Sequence, residues 1–137
     1  MKSPQLDPDF QHRRTVLVVD DDPFILRYIE QALKIAKYNV RTATSEEQAL
    51  AILNEQQIDL VLTDIVMADS DGFRLAARIE ERRSDLPILF MTGALPETDH
   101  HAQELCGAGL LLRKPFGPQR LWDFLAGALS KAFTGVS

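Results

Sequence analysis

From Thr15 onward the chain alternates short apolar runs with longer stretches whose apolar residues recur at helical spacing. The runs TVLVV, NVRTA, DLVLT, PILFMT and GLLLR each precede such a stretch, giving five strand-then-helix repeats. That pattern predicts an α/β domain with a parallel sheet covered on both faces. VLVV, LVL and ILFM are continuously apolar, as central strands buried on both sides must be, whereas Asn39-Val40-Arg41-Thr42 alternates like an edge strand. With the second strand at an edge and right-handed crossovers, the simplest arrangement is the flavodoxin-like (βα)5 order 2-1-3-4-5.

The helices carry their own start signals. Pro23 suits a first helical turn, followed by an apolar face of Ile25, Ile29, Ala32, Leu33 and Ala36. Ser45-Glu46-Glu47-Gln48 reads as a capping box, with Leu50 and Leu53 turned inward. Gly72 precedes a third helix presenting Phe73, Ala76 and Ile79. Pro118 opens a fifth with Leu121, Phe124, Leu125, Ala128, Leu129 and Ala132 at strong 3.6 spacing. The fourth is weak, since between Pro96 and Gly107 only Ala102, Leu105 and Cys106 are suited to a core. Residues 1–14, with Pro4, Pro8 and no periodic face, read as a flexible N-terminal arm. They leave a domain over 15–132 and a tail over 133–137.

Composition narrows the setting. A length of 137 residues fits one domain with a real core. A lone cysteine, Cys106, rules out an intrachain disulfide and points to a reducing compartment, by default the cytoplasm. The apolar runs are far shorter than the ~18 residues of a membrane span, and the basic N-terminal residues lack the apolar stretch of a secretory signal. A net charge of −5 argues against direct nucleic-acid binding.

The chemistry gathers at the strand ends. The first strand ends in Asp20-Asp21-Asp22, the third in Thr63-Asp64, the fourth in Thr92-Gly93 and the fifth in Arg113-Lys114-Pro115. Parallel strands bring these ends to one edge of the sheet, where open α/β sheets bind ligands. Two carboxylates ~5 Å apart at an effective dielectric near 20 repel by roughly 3 kcal/mol, so the cluster calls for a cation. With oxygen ligands only, a hard divalent ion such as Mg2+ suits it better than zinc, and Lys114 is its fixed positive charge.

VLVVDDDP, LVLTDIVMADSDG, ILFMTG and RKPF, in that order and spacing, resemble the response-regulator receiver domain, the phosphoacceptor of two-component signalling, over about Thr15 to Lys131. The resemblance implies that Asp64 is the phosphorylated residue and that Asp20, Asp21, Asp64 and the backbone carbonyl of Val66 hold Mg2+. It implies that Thr92 hydrogen-bonds the phosphoryl group, that Lys114 pairs with it and that the Lys114-Pro115 bond is cis. The partners it implies are a histidine kinase or phosphotransfer protein and a downstream protein or fused output domain. Signalling, and a dimer if one forms, would use the face of the fourth helix, fifth strand and fifth helix. The chain departs from the family pattern in two places. Ala68 stands where the family usually has Pro. Leu111 stands where many members carry the Tyr or Phe that turns inward as the threonine, here Thr92, moves; these two are the switch positions. The resemblance implies that Val66, Gly93 and Ala94 face the phosphoryl group, and because Val66 and Ala94 cannot orient water, slow self-dephosphorylation is expected.

Other readings compete. A degenerate receiver would only mediate protein contacts. A phosphatase similar to the haloacid dehalogenase superfamily would use the D-x-D within Asp20-Asp21-Asp22, but Pro23 follows at once and no acidic pair lies near a late strand. Asp22 reads better as a helix cap than as a ligand, and Asp69 and Asp71 as loop residues. His100 and His101 read as solvent-facing and Cys106 as a small apolar packing group. Trp122 suits partner binding and core covering equally.

Overall fold

Strand and helix alternate without exception: β1 Thr15–Val19, α1 Pro23–Ile35, β2 Asn39–Ala43, α2 Glu46–Glu55, β3 Leu60–Asp64, α3 Gly72–Arg82, β4 Ile88–Thr92, α4 His100–Gly107, β5 Leu111–Arg113 and α5 Pro118–Thr134. The structure, a computed structural model, describes residues 13–134 except 69, 94, 95 and 97, with side chains only to residue 130. The strands form one parallel sheet in the order β2-β1-β3-β4-β5, as the edge-like pattern of Asn39–Thr42 required.

Alternate residues of each strand enter opposite layers. Val16, Val18, Leu60, Leu62, Leu89, Met91 and Leu112 pack with Leu26, Ile29 and Leu33 of α1 and Leu121, Leu125 and Leu129 of α5. On the other face, Leu17, Val19 and Val61 meet Ala49 and Leu50 of α2 and Leu75 and Ile79 of α3. A smaller cluster, Ile65, Phe90, Ala102 and Leu111, lies beneath α4. Burial on both sides explains the unbroken apolar runs of β1 and β3.

The helix starts follow local chemistry. Asp22 caps α1, its carboxylate accepting the Phe24 N–H at 2.9 Å, with Pro23 in the first turn. Ser45 caps α2 through the Gln48 N–H at 3.2 Å, and the Gln48 side chain reaches back to the N–H of Thr44 at 2.8 Å, one residue earlier than a reciprocal box would place it. Asp71 and Asp99 cap α3 and α4.

Some helix faces differ from expectation. Leu26 and Leu75 are core residues that the periodic reading passed over. Ala36 falls at the C-cap of α1. Cys106, expected to pack as an apolar group, is exposed, because Ala102 alone buries fully from α4 and Leu105 only partly. His101 is exposed as read, yet its ring stacks on Phe73 at 4.0 Å. Trp122 resolves toward core covering: it packs against the α1–α5 layer and donates its indole N–H to the Ala32 carbonyl at 2.8 Å. Asp69 and residues 1–12 of the expected arm, His12 among them, lie outside the described residues, as does the side chain of Ala132. Among the described residues no helix is long and apolar enough to cross a membrane.

Candidate functional site

β1 and β3 are hydrogen-bonded neighbours, so the acidic residues at their C-terminal ends project from one edge of the sheet. Asp20, Asp21 and Asp64 each place a carboxylate oxygen within 4.8 Å of the others. Asp20 and Asp64 are buried, at 1% and 6% exposure, while Asp21 is exposed.

Each carboxylate is held by a different part of the backbone or by Lys114. Asp20 Oδ1 accepts the Asp22 N–H at 2.9 Å, and its Oδ2 accepts from Lys114 Nζ at 2.7 Å. Asp21 Oδ2 accepts the Ala68 N–H at 2.7 Å, tying the loop after β3 to the end of β1. Lys114 Nζ stands 3.4 Å from Asp64 Oδ2, so one ammonium bridges two buried carboxylates. Lys114 is placed by β5: its N–H donates to the Thr92 carbonyl at 2.9 Å, and the peptide bond to Pro115 is cis.

The electrostatics follow from burial. Desolvation, then the charge of Asp20, pushes the Asp64 carboxyl up to about 6, although Lys114 and the Val66 N–H pull the other way. Burial alone would lower the Lys114 ammonium, but its bond to Asp20 and the charges of Asp20 and Asp64 leave it raised and firmly charged. An acidic triad with one fixed cation remains short of positive charge.

Thr92 is fully buried at the end of β4, where it pairs with Arg113 in the β5 register. Gly93 is exposed beside Lys114, whose Cβ would lie 3.4 Å from an added side-chain carbon. Val66 is 46% exposed at the rim, and Leu111 is buried with Ile65, Phe90 and Ala102. Ala94 lies outside the described residues. Asp22 stays out of the cluster as a cap.

Two features escaped sequence reasoning. A carbon added to Gly72 would stand 2.4 Å from the Asp64 carbonyl oxygen, so only glycine lets α3 start against β3. Glu46, expected merely to occupy a capping box, is 4% exposed; one carboxylate oxygen accepts from the Ser70 hydroxyl and the other from Arg78, with Arg74 Nε 3.7 Å away. Burial would raise this carboxyl, but the bonds from Ser70 and Arg78 and both arginine charges hold it below the ordinary range. An acidic residue at a helix start is too common to have announced this role.

This geometry coincides with a known domain. The family model described as the response regulator receiver domain matches residues 16–126. The chain belongs to that family. It is 32% identical over 119 residues to the transcriptional regulatory protein GlrR of Escherichia coli (strain K12), spanning 85% of this chain and 26% of that protein. It is 35% identical over 127 residues to the phosphate regulon transcriptional regulatory protein PhoB of Pseudomonas aeruginosa, spanning 90% of this chain and 55% of that one. The chain therefore spans about a quarter to about half of the curated relatives it matches. Among solved structures it resembles a CheY-like receiver from Methanospirillum hungatei JF-1, with a TM-score of 0.79 and 25% identity over 90% of this chain and 99% of that one. It also resembles the chemotaxis response regulator CheY4 of Vibrio cholerae, with a TM-score of 0.72 and 31% identity over 85% of this chain and 98% of that one. The receiver family is one of signalling domains rather than of conventional enzymes, and nothing in these likenesses favours a phosphatase or a contact-only module.

Proposed function

We propose that this receiver takes a phosphoryl group onto Asp64 in a Mg2+-dependent reaction, from a histidine kinase or phosphotransfer protein. The supporting observation is the convergence of the Asp20, Asp21 and Asp64 carboxylates within 4.8 Å, with Lys114 spanning Asp20 and Asp64.

The donor set fits a hard divalent ion: three carboxylates, no His or Cys among them, and more negative charge than Lys114 offsets. Asp20, Asp21, Asp64 and the Val66 carbonyl are the residues that would hold Mg2+. When bound, the ion neutralises phosphoryl oxygens and the crowded carboxylates. Asp64 supplies the attacking carboxylate oxygen; the bond from phosphorus to the donor's nitrogen breaks as the bond to that oxygen forms. Lys114, anchored by Asp20, is already within ion-pair reach of Asp64 and pairs with the transferred group. Thr92, at the adjacent strand end, donates its hydroxyl to a phosphoryl oxygen, with Gly93 leaving room beside it. Transfer of this kind depends on positioning and charge neutralisation, which a buried preformed cluster supplies.

Output runs through the α4–β5–α5 face to a downstream protein or a fused domain, or to a second copy bound through the same face, and the domain acts in the cytoplasm. Leu111 cannot turn an aromatic ring inward, so the movement of Thr92 is passed on through repacking of the apolar cluster under α4. Incubation with acetyl phosphate and Mg2+ followed by intact-mass measurement tests the reading. One phosphoryl adduct is expected on the wild type and none on Asp64→Asn. No adduct, or one that survives this substitution, overturns it.

A further inference from the structure

The β3–α3 loop carries the backbone of Val66 and Ala68, which frames the acidic pocket. The loop closes on itself through the Met67 N–H to the Ser70 carbonyl at 3.2 Å and through a bridge between Val66 and Asp71. Among the described residues, three bonds tie it to parts of the fold other than β3 and α3. The Ile65 N–H donates to Met91 at 3.0 Å, and the Ala68 N–H donates to Asp21 at 2.7 Å. The third hold is the Ser70 hydroxyl on Glu46, the first residue of α2. Glu46 is itself fixed from α3 by Arg78 and Arg74. A cleft of about 170 Å³ separates the two anchors, lined by Asp21 on one side and by Glu46, Ser70 and Arg74 on the other. The loop is thus slung between two carboxylates, one belonging to the pocket and the other, Glu46, outside it.

We infer that Glu46 is a positioning residue for the acidic pocket: through Ser70 it fixes the height of the β3–α3 loop, and so presents Ala68 to Asp21 and Val66 to the metal position. The inference rests on the proposed reading of this pocket as a Mg2+ site. Both oxygens of Glu46 are engaged, and its burial removes competing water, so the tether is stiff. Groups that orient ligands in this way affect metal affinity without touching the ion.

The discriminating variant is Ser70→Ala, which cuts the tether but leaves Glu46 paired with its arginines. Mg2+ binding by titration calorimetry is measured alongside the melting temperature and the amide exchange of Met67 and Ala68 in the metal-free protein. Ser70→Ala and Glu46→Gln are each expected to weaken Mg2+ binding about tenfold. Exchange at the two amides should quicken, and Ser70→Thr, which keeps the hydroxyl, should restore both readouts. Should Glu46→Gln fail to fold, the serine variants decide alone. A loss of melting temperature with Mg2+ affinity and loop exchange unchanged would make Glu46 only a tie between α2 and α3 and overturn the inference. A wild-type protein that binds no Mg2+ overturns it as well. A protein that binds Mg2+ with the expected dependence on Ser70 yet takes no phosphoryl group sinks the functional proposal and leaves this inference standing.

Discussion

Replacing Gly72 with alanine tests how tightly the start of α3 is pressed against β3. The new carbon would lie 2.4 Å from the Asp64 carbonyl oxygen, 3.1 Å from Ile65 Cα and 3.2 Å from the Asp64 carbonyl carbon. All three are backbone atoms, so no rotamer change relieves the clash. The shortest of these distances is about an ångström inside the ~3.5 Å at which non-bonded heavy atoms sit comfortably. Overpacking of this kind costs about 1–3 kcal/mol, and the better helix propensity of alanine offsets at most ~1 kcal/mol of it. A clash with unyielding backbone sits at the upper end of that range, so at roughly 3–5 °C per kcal/mol for a domain of this size the melting temperature should fall by roughly 6–15 °C. Because the atoms displaced belong to Asp64 itself, phosphorylation by acetyl phosphate should slow on the order of tenfold or more, beyond what the lost stability explains at a temperature where the variant is folded. Calorimetric melts paired with intact-mass time courses measure both. An unchanged melting temperature with an unchanged rate would show that the backbone yields freely, and the argument from close approach would be wrong.

Lys114→Ala leaves Asp20 and Asp64 buried without their shared cation and should destabilise the metal-free protein by about 3 kcal/mol. The melting-temperature rise on adding Mg2+ should then exceed that of the wild type, and an equal rise would mean that Lys114 and the metal do not compensate the same charges. Glu46 has a folded-state value below its unfolded one, so it stabilises above the ordinary carboxylate range, and that contribution is lost as pH falls through the folded value. Urea titrations at a series of acidic pH values should therefore show Glu46→Gln less stable than the wild type near neutrality, with the gap closing toward low pH; a gap independent of pH refutes the assignment. Val66 is half-exposed at the rim and offers no group to orient water, so Val66→Asn should shorten the acyl-phosphate lifetime whereas Val66→Leu should not lengthen it. A decay assay indifferent to asparagine would remove the side chain of residue 66 from control of hydrolysis.

The architecture was legible because two-sided burial writes continuous apolar runs, which β1, β3 and β4 display, while the exposed side of β2 writes an alternating one. The acidic edge was legible for a related reason: β1, β3, β4 and β5 each change from apolar to polar at their C-terminal ends, so Asp20, Asp64, Thr92 and Lys114 fall where parallel topology brings strand ends together. What escaped was long-range. Glu46 meets Ser70 and Arg78, 24 and 32 residues on, and no local pattern couples a helix-start glutamate to a loop serine. Gly72 read only as the residue before the third helix, and its demand comes from a carbonyl eight positions earlier that only the folded loop brings near. Cys106 was misplaced because α4 is short and turns only a narrow face inward, leaving room for Ala102 and part of Leu105.

Asp20 and Lys114 are 94 residues apart in the chain yet form the 2.7 Å contact at the heart of the pocket. A ribosome making this protein releases the anionic groups of β1 and β3 well before the lysine that tempers them, at ~5–20 residues per second. Until β5 emerges and docks, a nascent receiver carries its acids without their internal counter-ion, and the acidic pocket is incomplete. Docking of the last strand therefore completes the pocket: only a chain translated through residue 114 can form the contact between Asp20 and Lys114.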